Sequence, residues 1–525
     1  MKFKNERTFF EMTKAKKVEL FHRKYEEGVE KVRKGFETHY PNYIGGKESF
    51  SSEGEYAVIT PINKNQIIGY CQKGTREDAK NAILAAKDKF YEWSRTPYQK
   101  RVKIFQKAAK IMSARKFELA ALMTFDNGKN RYEAIADVDE AIDFLNFYSY
   151  LMLKNKGFIV KMGKPFPEED CTSVLKPYGV WAVISPFNFP LAITTGMSTG
   201  AMITGNTIVL KPASDTPLMA LKFYEIMKEA GLPDGVMNLV VGSGSTVGEE
   251  LISNPDISGV VFTGSRPVGR RIFAQMTSSI VKPCITELGG KNPIIVTSKA
   301  NLDKAIEGVA RSAFGFGGQK CSACSRLIVF EDIKEKFLDG LVKWTREKVA
   351  IGDPTRREIF LGPVINQKAY DDFAKYAEMA KRDGSVLFGG NRCESGELKD
   401  GFFVEPTIVD GLPLDHEIVK TELFLPIVAV ITVKNLEEAV KIANDTEYGL
   451  TAGIFTENVK EREYFFDHIE AGVTYCNRRI GGSTGAMVNG QPFGGWKASS
   501  STAKGAGGLY YLQQFMREQS QTRVK

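Results

Sequence analysis

Two cysteines three residues apart, Cys321 and Cys324, stand in the stretch GFGGQKCSACSRLIVF. A metal or redox pair, a buried turn, and one working nucleophile beside a bystander all fit such a spacing. The four histidines, His22, His39, His416 and His468, are remote in sequence and no second C-x-x-C occurs, so a zinc site lacks ligands. The cysteines, at 71, 171, 284, 321, 324, 393 and 476, are odd in number and mostly far apart, which argues against a disulfide framework and for a reducing compartment. Cys321 is the better nucleophile. It follows Gly317, Gly318 and Gln319, where the chain can turn sharply, and SACSRLIV reads as a short helix running into a strand. A thiol at a helix N-terminus is favoured as thiolate. Cys324 then lies one turn deeper as a buried bystander, the common fate of a free cysteine.

A thiol needs partners to do acyl chemistry. Glu287, in TELGGKNPIIV, precedes two glycines and a strand, and can cap a turn or activate a water. Asn188, in SPFNFPL, sits between Pro186 and Pro190, where its amide can serve the turn or donate to an oxyanion. For a cofactor, VVGSGSTVG carries a weak G-x-G-x-x-x-G signal. Ser265 of FTGS can open a helix whose N-terminus accepts phosphate, and Lys211 of VLKPAS ends a strand at the edge where a ribose or phosphate binds.

These residues need a scaffold of more than one domain, and 525 residues supply it. Three amphipathic stretches, roughly 6–38, 75–90 resuming after Pro97 toward 110, and 117–154, read as helices. From Val174 onward short β-branched runs alternate with helical ones, implying parallel β-α-β units and a doubly wound sheet; a second such series follows Glu287. The junction between the two is where a ligand crevice is expected. Residues 157–176 read as a projecting hairpin and the last 30 residues as the source of an edge strand beside it. Basic and acidic side chains, 71 and 63, are interleaved. The lysine- and arginine-rich first 35 residues also hold Glu19, Glu26, Glu27 and Glu30, so they predict a surface helix and not a nucleic-acid arm. No apolar run suits a membrane span or secretory leader, so the expected location is cytoplasmic.

Singly these signals are weak; in order they are specific. SPFNFP, VLKPAS, FTGS, ELGGKNP, GQKCSACSR, ELFLP and PFGG follow the order and rough spacing of the aldehyde dehydrogenase superfamily, and the resemblance covers about residues 40–520. It implies an α/β fold with a Rossmann-type NAD-binding domain (1–156 and 177–289), an α/β catalytic domain (290–484), and a small β oligomerisation flap (157–176 and 503–525). It implies Cys321 as nucleophile, Glu287 as general base, and Asn188 with the Cys321 N–H as oxyanion hole. Lys211 and Ser214 would meet the adenosine ribose, Gly264 and Ser265 the pyrophosphate, and Glu422 and Phe424 the nicotinamide ribose. No metal is implied. The cofactor would be NAD, with NADP incompletely excluded because Ser214 stands where many members carry glutamate. The chain would act on a small aldehyde as a homo-oligomer, with no nucleic-acid or membrane partner.

Four local features resemble one branch, the dehydrogenases of glutamate γ-semialdehyde formed from Δ1-pyrroline-5-carboxylate: TFDNGK leading into DVDEAIDFLNFY, QKCSACSR, STGAMVNGQPFGG, and the two phenylalanines Phe187 and Phe493. The resemblance implies that the Ser322 hydroxyl and the Gly485 and Ala486 N–H groups hold a substrate carboxylate, that Phe187 and Phe493 pack on its methylenes, and that Glu140 lies near its amino group. Glu140 equally fits a solvated helical carboxylate. The chain departs from the pattern in a longer 478–486 loop, in Ser500 where glycine is general, and in an insertion near Gly505. Another short carboxy-aldehyde such as succinate semialdehyde remains an alternative substrate, and a non-catalytic binding protein the alternative of another class.

Overall fold

In the computed structural model, which describes residues 3–278, 280–479 and 487–524, two seven-stranded sheets organise the chain. The first runs in the order Cys284–Glu287, Ile257–Thr263, Val180–Ile184, Thr207–Lys211, Met237–Leu239, Asn42–Ile44, Lys47–Ser49. Its first five strands are parallel. Every residue of Val180–Ile184 and Thr207–Lys211 is buried, as expected of strands covered on both faces. Register then lines up the strand ends: Ile184 pairs with Lys211, Phe262 with Ile184 and Thr263 with Glu287. Four of the chain segments singled out above therefore leave the sheet along one edge.

The second sheet has the order Ser385–Phe388, Thr407–Asp410, Ile427–Val433, Cys324–Phe330, Asn292–Val296, Thr451–Phe455, Val473–Cys476, with only Ser385–Phe388 antiparallel. A three-stranded sheet joins Ile159–Lys161 to Glu169–Pro177 and the C-terminal Met516–Val524, which pairs with Glu169–Pro177 along its whole length.

Each long amphipathic stretch is two helices. The first divides into Thr8–Lys14 and Val18–Arg33 at Lys16, whose φ of 57° is left-handed. The second divides at Pro97 into Arg76–Arg95, opened by a Thr75/Asp78 capping box, and Tyr98–Ala114. The third divides at Gly128, φ 81°, into Lys116–Asn127 and Arg131–Lys154. The break at Pro97 is already legible in the sequence; at Lys16 and Gly128 periodicity persists across the break, which is why the sequence pattern alone joins the first and third pairs.

Candidate active site

A cavity of about 1080 Å³ opens between the two sheets. Its walls include Phe187 and Asn188 after Val180–Ile184, Lys211 at the end of its own strand, Gly264 and Ser265 after Ile257–Thr263, and Glu287 at the end of Cys284–Glu287. From the second sheet's side come Cys321, Glu422 and Phe424.

The nucleophile loop differs from the sequence expectation. No helix follows Cys321: Gly315–Gly318 is a 3-10 turn with positive φ at Phe316, Gly317 and Gly318, and the strand begins at Cys324. The β-branched run behind it pulls the chain straight into the sheet, where Cys324 pairs with Asn292. Cys324 is thus a buried strand residue, and helix-terminal stabilisation of a thiolate at Cys321 does not apply. Instead the Cys321 and Ser322 backbone N–H groups favour the thiolate locally, against burial and the carboxylates of Glu422 and Glu287, which together push the thiol well up. The sulfur must hand on its proton as it attacks.

Two amides fix this loop, and sequence reasoning assigned neither a role. Asn292 Nδ2 donates to the Cys321 carbonyl at 2.7 Å and the Ala323 carbonyl at 2.9 Å, while its Oδ1 accepts from Thr451 N–H at 3.0 Å. Gln319 Nε2 donates to the Phe316 and Pro363 carbonyls and its Oε1 accepts from Ile365 N–H at 2.8 Å. Their place inside GGKNP and GQKC was the available signal. The glycines of that first motif have a steric reason: a Cβ on Gly289 would lie 1.9 Å from Glu422 Oε2, and one on Gly290 2.5 Å from Asn292 Oδ1.

Glu287 is buried, and burial pushes its carboxyl up to about 8; donors at Ser500 and the Gly495 N–H pull it back. Its Oε2 is buried with no hydrogen-bond partner. Glu422 accepts from Gly290 N–H at 3.0 Å, and burial raises it to about 7. Lys211 Nζ donates to the Pro212 carbonyl at 2.9 Å, and burial lowers it to about 8. Asn188 is buried in a loop whose Phe187 carbonyl accepts from Asn127 and Thr216 at 3.4 Å, and Phe187 meets Phe424 edge-on at 5.7 Å.

Other expected residues lie elsewhere. Ser214 does not line the cavity: its hydroxyl donates to the Gly242 carbonyl at 3.3 Å, and Asp215, held by Asn366 Nδ2 at 3.1 Å, takes the wall position. Glu140 lines a second cavity of about 750 Å³, together with Glu133, Lys320, Phe189, Arg478 and the N-terminal Glu6, Arg7 and Phe9. The buried Ser322 hydroxyl has no partner, and Phe493 is half-buried with its backbone paired to Ala506. Gly485 and Ala486 lie outside the described residues. Among the described residues no group of three or more histidine, cysteine, aspartate or glutamate side chains could hold a metal ion.

The arrangement, a thiol, an amide and a free carboxylate oxygen on one cavity with a buried lysine, suits thioester chemistry on a carbonyl. The Aldehyde dehydrogenase family pattern matches residues 49–520. A 1-pyrroline-5-carboxylate dehydrogenase of Geobacillus sp. (strain WCH70) is 40% identical over 500 residues, 94% of this chain and 95% of that one. A crystal structure of 1-pyrroline-5-carboxylate dehydrogenase from Thermus with bound NAD superposes with a TM-score of 0.94 at 37% identity, covering 100% of this chain and 99% of that one. The proline utilization A (PutA) protein of Bdellovibrio bacteriovorus matches at a TM-score of 0.93 and 36% identity over 100% of this chain, which spans 53% of that longer protein. The chain belongs to the aldehyde dehydrogenase family.

Proposed function

We propose that the chain oxidises L-glutamate γ-semialdehyde, the open form of 1-pyrroline-5-carboxylate, to L-glutamate with NAD. One observation carries the chemistry: a single cavity gathers Cys321, Asn188, Glu287, Lys211 and Glu422. The substrate and cofactor are supported by the relatives named for 1-pyrroline-5-carboxylate and by the NAD-bound Thermus structure.

The residues fit a dinucleotide. The helix Arg266–Met276 has Ser265 at its N-cap with no side-chain capping bond, so its first-turn N–H groups can meet a pyrophosphate beside Gly264. Lys211 offers a buried ammonium, and Glu422 with Phe424 flank the nicotinamide end in this reading. When bound, NAD supplies the hydride acceptor.

The chain's own residues do the rest. Cys321 Sγ releases its proton to solvent and bonds as thiolate to the aldehyde carbon. Asn188 and the Cys321 N–H donate to the oxyanion that forms. After hydride leaves that carbon, Cys321 holds a thioester; Glu287 Oε2 takes a proton from water as the water oxygen attacks, and the carbon–sulfur bond breaks to release the acid. In this reading Ser322 holds the far carboxylate, Phe187 and Phe493 flank the methylenes and Glu140 faces the amino group; the other two expected anchors, Gly485 and Ala486, lie outside the described residues.

No helix among the described residues is long and apolar enough to cross a membrane, and a cytoplasmic homo-oligomer is the form proposed. The exposed Ile159, Val160, Met162 and Phe166 of the small sheet and its hairpin turn support the association. The test is turnover by the purified chain with NAD and with NADP. Glutamate γ-semialdehyde with NAD should give a higher kcat/KM than succinate semialdehyde, glutarate semialdehyde or propanal. Equal turnover of simple aliphatic aldehydes would overturn the substrate reading, and a higher kcat/KM with NADP the cofactor reading.

A further inference from the structure

Three consecutive serines, Ser499, Ser500 and Ser501, lie along the strand that ends in Glu287, and each hydroxyl is committed to a different atom. Ser499 Oγ donates to the Gly289 carbonyl at 2.7 Å and accepts from Gly449 N–H at 3.1 Å. Ser501 Oγ donates to the Cys284 carbonyl at 2.8 Å and accepts from Thr286 N–H at 2.9 Å. Backbone bonds from Leu288 N–H to the Ser499 carbonyl and from Ser501 N–H to the Thr286 carbonyl close the pairing. The outer two serines therefore fasten backbone to backbone.

Ser500 is different. Its Oγ lies 3.0 Å from Glu287 Oε1, a side-chain atom. The same oxygen accepts from Ala503 N–H at 3.3 Å and Thr502 N–H at 3.4 Å. A hydroxyl has one proton, so with its lone pairs so occupied that proton is the one given to Glu287. Glu287 is left held at Oε1 and unpartnered at Oε2.

We infer that Ser500 is a positioning residue for thioester hydrolysis, pinning Glu287 by one oxygen so that the other meets the attacking water, and favouring the ionised carboxylate. The inference rests on the reading of Glu287 as general base. The groups that face Glu287 are the Cys321 thiol and the Tyr511 phenol, with Glu422 on the same cavity. Gly495 N–H adds one donor, and among the described residues no lysine or arginine forms an ion pair with it. In such surroundings hydroxyl and amide donors are what oppose burial. Removing one raises the carboxyl further above about 8, so the step needing the carboxylate loses rate at neutral pH and recovers it at alkaline pH.

The experiment uses the full chain, an activated acetyl ester as acyl donor without dinucleotide, and rates of thioester hydrolysis from pH 6 to 10. S500A should lose roughly 5- to 10-fold at pH 7 while its alkaline plateau stays within about twofold, and S500T, which keeps the hydroxyl, should restore the wild-type profile. If S500A does not fold, S500C, a weak donor of similar volume, is read in the same way. A profile that superimposes on wild type, or one lowered equally at every pH, would overturn the role of Ser500. E287Q separates the two readings. If it hydrolyses the thioester normally, the base assignment itself fails; if it is slow while S500A is unchanged, only Ser500 is misassigned.

Discussion

The two cavities on either side of the nucleophile loop differ in how many of their buried charges are held in ion pairs. Around Cys321 two buried polar groups are left without partners, Glu287 Oε2 and the Ser322 hydroxyl, and behind them Lys291 Nζ, unpartnered beside Arg326, is pushed down to about 7 by burial and by that arginine. Around the second cavity the buried charges are mostly paired, although Glu133 Oε2 and Arg131 Nε are buried without a partner. Lys129 pairs with Asp137 at 2.7 Å with both side chains wholly buried, Lys116 meets Glu6 and Asp139, and Arg131 joins Glu26. An unpaired buried group is costly, so a fold keeps one where a ligand or a reaction completes it; paired charges hold elements in place. The open carboxylate oxygen of Glu287 is thus placed to react, while the ion pairs beside the second cavity hold its walls in position.

That contrast is broken most severely at the sulfur. C321A should abolish aldehyde-dependent reduction of NAD, a loss of roughly 10⁴-fold or more, while C324A retains most activity because its sulfur is a strand residue in the core. Activity in C321A with loss in C324A would reverse the assignment. E287Q should slow the later step more than the first, so rapid mixing should still show a burst of reduced cofactor followed by slow turnover.

In the second region the expected damage is to stability. K129M leaves Asp137 buried without its cation and should cost about 3–5 kcal/mol, read as a fall in thermal midpoint, with K129M/D137N regaining a large part. Lys129 also lies 3.6 Å from the Phe189 ring centre, next to Asn188, so the single variant should lose turnover as well. A K129M midpoint equal to wild type would remove the distinction drawn between the cavities.

The sequence carried the first cavity better than the second. Glu287, Lys211 and the Asn188 loop end parallel strands, and such ends can be read from short β-branched runs followed by proline, glycine or polar residues. What holds Cys321 was not legible in the same way. Asn292 and Gln319 act through backbone groups brought from afar, the Thr451 and Ile365 N–H groups and the Pro363 carbonyl, contacts that no local pattern encodes. The helix expected after Cys321 failed for a related reason, since sheet pairing with Asn292 overrides the local turn signal. The N-terminal segment read as a mixed-charge surface helix, yet its carboxylate partners, Asp139 and Asp143, sit on a helix more than 130 residues away.

Those partners yield the smallest and most specific prediction. Asp143 Oδ1 accepts from Glu6 N–H at 2.8 Å and its Oδ2 from Asn5 Nδ2 at 2.7 Å, and Asn5 also reaches the Val488 carbonyl at 2.8 Å. These bonds favour the carboxylate, but burial outweighs them and raises Asp143 from the ordinary 3.8 to about 7. A carboxyl raised in the folded state binds its proton more tightly there than in the unfolded chain. Its contribution is therefore complete below about pH 4 and is lost as pH rises toward 7, at no more than about 1.4 kcal/mol per pH unit for one proton. D143N cannot ionise and should flatten that part of the stability profile between pH 4 and 7, measured by thermal midpoint or denaturant titration against wild type. Because Asp143 belongs to the region that is held, kcat at a given pH should change far less than in E287Q. A D143N profile parallel to wild type across that window would mean that the N-terminal segment is fastened by the neighbouring Thr8–Asp139 and Lys116 contacts and not by this carboxyl.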